Sequence, residues 1–255
     1  MLDLARLERL GRPVHYYPTI DTTMRQAAEL AARGEPSGAV VVAEEQTAGR
    51  GRLGRTWVSP PEAGLYFSVI LRPPLAAADA AVLTLALGLA TGRAIHRVAG
   101  LACDLRWPND VLLNGRKCAG ILAELDADGG RLRHVIAGIG VNVNHAAIPA
   151  ELAETATSLR LQTGCEYSRE TLLAETLAEV DRYVGILAER GPAAVVELFT
   201  RASSYAAGKR VVVVNGGAEI AGSTAGLTAA GLLLLRRDDG TVAPVVAGSV
   251  RPLAD

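Results

Sequence analysis

Cysteine and lysine are both scarce in this 255-residue chain, and each scarcity narrows what it can be. Its three cysteines, Cys103, Cys118 and Cys165, are too few and too scattered for a disulfide framework or a zinc site. Their sparing use points to a reduced, cytoplasmic setting. Only two of the 26 basic residues are lysines, Lys117 and Lys209. In a chain that otherwise takes its positive charge from arginine, each lysine raises the question of why an arginine would not serve. The four histidines show no metal spacing, and neither a G-x-S-x-G elbow nor a GxxxxGK[ST] phosphate loop occurs. No apolar run reaches membrane-spanning length, and the N-terminal segment reads as an amphipathic helix instead of a signal peptide. A net charge of −1 argues against nucleic acid as the main partner.

What remains is a chain with 49% hydrophobic residues, enough to bury a sizeable core. The pattern predicts a strand over 14–17, a helix over 23–33 closed by Gly34, and a buried strand over 38–43. Residues 46–55 form a glycine- and arginine-rich loop without apolar periodicity. A strand over 65–71 and an alanine-rich helix over 76–99 follow. Strands then dominate 104–143, with Asn114-Gly115 as the clearest hairpin turn. Two helices, over 169–189 and 192–202, precede a composition shift near Ala207 that opens a series of short β runs. The fold class expected is α+β: a catalytic domain over 1–206 with a mixed or antiparallel sheet flanked by helices, then a small β-barrel over 207–255.

Five segments carry chemistry. In GRGRLGRTW (49–57) three glycines bring the backbone close to a ligand and three arginines offer forked donors for phosphate oxygens. A solvated basic loop, or an RNA contact, would read the same way on spacing alone. In RWPND (106–110), Asp110 follows an X-Pro step and could hold Mg²⁺ through one oxygen, while Asn109 could bond a phosphate or sugar. An ordinary turn explains the segment equally. Lys117, just past the hairpin and three residues before Gly120, could reach an α-phosphate if it faces inward. The alternating glycines of GIGVNVN (138–144) mark close approach of a ligand or of packed neighbours, with Asn142 as a polar contact. In DTTM (21–24), Thr23 with Gln26 fits a capping box, and Thr22 would point its hydroxyl into a pocket.

Taken in order, DTTM, EEQTAGRGRLGRTW, GLYFSVILRP, RWPNDVLLNGRKCAGILAEL and GIGVNVN resemble the biotin–protein ligase family over about residues 21–144. The resemblance implies an ATP-dependent ligase that makes biotinyl-5′-AMP and passes biotin to a lysine of a biotin carboxyl carrier protein. By position it implies that Thr22, Thr23, Met24, Gln46, Gly49, Arg50, Gly51, Arg52, Lys117 and Gly120 surround biotin or its adenylate. It further implies that Arg50, Arg52, Trp57, Asn109 and Asn142 lie near ATP, that Asp110 holds Mg²⁺, and that Arg50, Arg52, Lys117 and Asp110 carry catalysis. Met24 departs from the family's usual asparagine. Barely twenty residues precede Asp21, too few for the DNA-binding unit of some members, so the expectation is a short form that is no repressor. No nucleic acid or membrane partner is expected, and a homodimer stays open. Two other classes compete: a lipoate or octanoate ligase of the same fold, and a non-catalytic RNA-binding module.

Overall fold

The computed structural model describes residues 1–253, so the last two positions of the expected C-terminal domain lie outside the described residues. Seven strands form one sheet in the order β1-β2-β3-β7-β6-β5-β4. They are β1 (Val14–Ile20), β2 (Val40–Gln46), β3 (Gly64–Leu71), β4 (Asp104–Arg106), β5 (Asp110–Leu113), β6 (Arg116–Asp128) and β7 (Arg131–Asn142). β1 and β2 run parallel and the other neighbours antiparallel, so the sheet is mixed. Asn114 (φ 49°) and Gly115 (φ 75°) make the tight turn between β5 and β6.

Period-2 alternation gives β3 two different faces. Leu65, Phe67, Val69 and Leu71 join the main core, which also holds α3 (Ala80–Ala99) and α5 (Arg169–Ala202). Ile70 turns to a smaller cluster beneath α2 (Thr23–Ala32), with Met24, Ala27, Val41 and Ile136. Helices therefore cover both faces. α5 is interrupted at Gly191 (φ 75°, ψ 176°), directly before Pro192, so it behaves as the two helices expected from sequence. The expected helix over 76–99 starts later, because residues Ala77–Asp79 form a 3₁₀ turn.

The C-terminal strands β8 (Ala207–Asn215), β9 (Ala218–Leu227), β10 (Leu233–Arg236), β11 (Val242–Val245) and β12 (Ser249–Pro252) form a separate antiparallel sheet, ordered β11-β10-β9-β8-β12. The expected barrel is corrected here: among the described residues β11 and β12 do not pair, and the sheet stays open. Pro244 and Pro252 lie on those edge strands, where a missing N–H donor is tolerated and further pairing is discouraged. No helix among the described residues is long and apolar enough to cross a membrane.

Candidate active site

A cleft opens on the α2 face of the large sheet. Its floor is glycine. Gly120 pairs with Gly140 across β6 and β7, and Leu122 pairs with Gly138 in the next row of the same face. With glycine at three of these four positions, the backbone itself becomes a surface. Two side chains lie on it. The Trp57 indole covers Gly140, where an added Cβ would meet Nε1 at 2.5 Å, and Gly120, where it would meet the ring at 3.1 Å. The Met24 sulfur covers Gly138 so closely that a Cβ there would collide with it. The alternating glycines of β7 therefore serve packed side chains as well as the cleft.

One group of cleft residues is uncharged. Thr22 caps α2, its Oγ1 accepting from Met24 N at 3.4 Å, so the cap lies one residue earlier than the Thr23–Gln26 box predicts. Thr23 is thereby free to look inward. Its backbone N–H and its Oγ1 donate to Gln46 Oε1 at 2.9 and 3.2 Å, and Oγ1 lies 2.8 Å from Ser68 Oγ. Gln46 Nε2 in turn donates to Ser59 Oγ at 3.0 Å. Met24 and Leu122 supply apolar wall around this chain of amide and hydroxyl groups, while Phe67, Ile121 and Ile139 border the cleft with their side chains in the main core.

The other group is cationic. Arg50, Gly51, Arg52, Asn109 and Lys117 line the cleft with Trp57. Arg52 Nη1 donates to Asn109 Oδ1 at 3.2 Å, and Asn109 Nδ2 donates to Ile121 O at 2.8 Å, fixing the amide between loop and sheet. Lys117 Nζ lies 2.5 Å from Asp110 Oδ1 and 5.3 Å from the Trp57 ring centroid. Its backbone is clamped as well: Lys117 N–H donates to Thr155 O, and Thr157 N–H donates to Lys117 O. Arg106 Nη2 takes Asp110 Oδ2 at 2.7 Å. Burial pushes the Asp110 carboxyl up, but Lys117 and Arg106 pull it further down, so it sits below the usual carboxylate range. Arg50 reaches outward to Glu124, at 3.2 Å.

Both oxygens of Asp110 face cations, Oδ1 toward Lys117 and Oδ2 toward Arg106, so an ion at this carboxylate would have to displace one of them. The remaining expected residues separate by position. Gly49 stands behind the cleft against Ser59 and Gln46, while Asn142 is buried and donates to Thr157 O at 3.0 Å. Neither lines the cleft among the described residues. Sequence reasoning misses Phe67, Ile121, Leu122 and Ile139, whose apolar character carries no chemical signal, and Arg106, whose role emerges only once Asp110 is placed.

Residues 16–142 match the model of the biotin/lipoate A/B protein ligase family. The bifunctional ligase/repressor BirA of Bacillus spizizenii is 36% identical over 241 residues, covering 92% of this chain and 73% of that protein. The biotin–[acetyl-CoA-carboxylase] ligase of Paracoccus denitrificans is 36% identical over 226 residues, 85% of this chain and 91% of that one. Among solved structures, the biotin protein ligase of Aquifex aeolicus in complex with biotin and ATP superposes with a TM-score of 0.80 at 30% identity, covering 94% of this chain and 99% of that one. On the sequence match to these relatives and the shared fold, this chain belongs to the biotin–protein ligase family.

Proposed function

We propose that the chain activates biotin with ATP, as biotinyl-5′-AMP, and transfers the biotinyl group to a lysine of a biotin carrier protein. The observation that carries this reading is the pairing of two chemistries in one cleft. An uncharged set of hydroxyls and an amide (Thr22, Thr23, Gln46) within apolar walls suits a neutral cyclic urea on a hydrocarbon chain. A set of cations (Arg50, Arg52, Lys117) suits phosphate. The names of the relatives and the biotin–ATP complex point the same way. In this reading residues 1–206 make the catalytic domain and 207–255 a smaller one.

In the first half-reaction a biotin carboxylate oxygen attacks the α-phosphorus of ATP in line, and pyrophosphate leaves. Both reactants are anions, so the protein neutralises charge and aligns groups, with no proton transfer needed. Lys117 would supply a compact ammonium to the α-phosphate, released from Asp110 toward the stronger charge. Arg50 and Arg52 cover the phosphates from the loop, with Gly51 between them allowing the approach. Asn109 holds Arg52 in place. The Trp57 ring would meet the nucleotide, while its indole N–H, packed on Gly140, is buried and without a partner among the described residues. In the second half-reaction a neutral lysine amine of the acceptor attacks the biotinyl carbonyl. The C–O bond of the mixed anhydride breaks, AMP leaves, and the proton shed by the amine nitrogen passes to solvent. ATP enters as its magnesium complex; an ion reaching Asp110 would have to displace Lys117 or Arg106, and no step here depends on it.

Biotin-dependent exchange of labelled pyrophosphate into ATP tests the first half-reaction. Exchange that needs biotin and disappears in Lys117→Ala supports the proposal, whereas a folded wild-type protein without exchange rejects it.

A further inference from the structure

The glycine–arginine loop is held from outside the large sheet. Arg52 Nη1 donates to Gly248 O at 3.2 Å, and Arg55 Nη2 donates to Ser249 Oγ at 3.1 Å. Gly248 lies in the connection between β11 and β12 of the C-terminal sheet, and Ser249 opens β12 directly after it. We propose that this connection is a latch that keeps the loop over the cleft, with Arg55 and Ser249 as its positioning residues. The proposal rests on the ligase reading above and assigns the C-terminal sheet a part in retaining the adenylate.

Both sides of the latch are shaped for it. Gly248 is buried with φ 136°, a conformation that side chains rarely adopt. A Cβ there would press on Val214 O at 2.9 Å and Val213 Cγ1 at 3.1 Å. The backbone carbonyl that meets Arg52 is thus aimed by a position that favours glycine twice over. Ser249 is fixed in turn by its pairing with Val214 at the start of β12. On the loop side, Arg55 closes a short turn: Gly51 N–H donates to Arg55 O at 2.7 Å, and Arg55 N–H donates to Arg52 O at 3.2 Å. That turn carries Leu53 at φ 57° with its side chain exposed, a conformation that costs energy unless surrounding contacts hold it. These two bonds, the Arg50–Thr56 bridge and Trp57 N–H to Gly49 O shape the loop internally, while Arg52 to Asn109 and Arg50 to Glu124 tie it to the large sheet beside the latch.

Arg52 faces the cleft, whereas Arg55 is an exposed residue outside its lining. Arg55 is therefore the residue through which the latch can be loosened without touching the ligand. An acyl-adenylate released into water hydrolyses, so a loosened loop is read as leakage.

The test uses the full chain, biotin and ATP without any acceptor. Adenylate is formed on the protein, excess substrate is removed, and free adenylate and AMP are followed with time by mass spectrometry. Arg55→Ala and Ser249→Ala should each release adenylate about five- to tenfold faster than wild type, the effect of losing one charge-assisted hydrogen bond at a partly exposed site. The double variant should be no faster than either single one, because both remove the same bond. Single-turnover adenylate formation at saturating substrates and the melting temperature should stay near wild type, which a merely structural loss would not allow. Unchanged release in both variants, or effects that multiply independently, overturns the latch alone. A wild-type protein that forms no adenylate overturns the ligase reading and the latch with it.

Discussion

Lys117 Nζ stands between a carboxylate at 2.5 Å and an indole face, a position that a guanidinium could share only by spreading its charge over a plane. Removing a preorganised donor of this kind costs about 10²–10³ in rate. Lys117→Ala should therefore lower adenylate formation by about that factor, and Lys117→Arg should recover little of it, as pyrophosphate release would show. Asp110 sets the geometry from the other side. Its depressed pKa means that its pairing stabilises the fold above the ordinary carboxylate pKa of about 3.9 and is lost as pH falls through the lower folded value. Asp110→Asn should melt earlier than wild type by a margin that is constant from neutral pH down to about 4 and shrinks below that. A margin that shrinks already near pH 6 would contradict the assignment. Lysine is so scarce in the sequence that Lys117 stands out on composition alone, whereas Arg106 carries no such signal. One arginine among many becomes specific only when Asp110 Oδ2 is found beside it.

At the scale of elements, β7 and β6 explain why glycines alternate where a strand would otherwise carry side chains. Gly140→Ala would push a methyl group into the Trp57 indole, and Gly138→Ala into the Met24 thioether. Overpacking of this kind costs about 1–3 kcal/mol. The two variants should differ in function. Gly140→Ala displaces the ring proposed to meet the nucleotide and should raise the KM for ATP more than that for biotin, and Gly138→Ala should do the reverse. Steady-state kinetics with each substrate varied would check both. The strands are legible in the sequence because alternation, the Asn114-Gly115 turn and the β-branched runs all agree. The cap of α2 falls one residue from its expected place because Thr22 and Thr23 are chemically interchangeable there. Only the Thr23 hydrogen bonds to Gln46 and Ser68 show which of them turns inward. The motif around Asn142 suggests a ligand contact, yet its amide is bonded to Thr157 O beneath the cleft. Side-chain direction at that strand end depends on a segment, 145–163, that carries little sequence pattern.

For the whole molecule, the C-terminal sheet shares the main core through Val211, Val213, Leu233, Leu235 and Val250, and polar contacts add to that junction. Trp107 Nε1 donates to Gly231 O at 2.9 Å, and a Cβ at Gly231 would crowd Val82 and Leu85 of α3. Trp107→Phe should cost about 1 kcal/mol, the net worth of one buried hydrogen bond, with a matching small fall in melting temperature. Composition alone locates the C-terminal strands, since the shift near Ala207 is abrupt. It does not reveal that the sheet stays open, because edge pairing depends on where Pro244 and Pro252 fall, nor that its last connection touches the loop. Contacts between residues nearly 200 positions apart leave no mark in local pattern.

The most direct measurement offers the purified chain biotin, lipoate and octanoate separately, each with ATP and magnesium, and identifies any acyl-adenylate by mass spectrometry. The account predicts an adenylate from biotin, little or none from the two other acids, and its loss in Lys117→Ala. An adenylate from lipoate or octanoate in preference to biotin would contradict the assignment of the Thr22–Thr23–Gln46 group to a cyclic urea, and no adenylate from any acid would contradict the central claim itself.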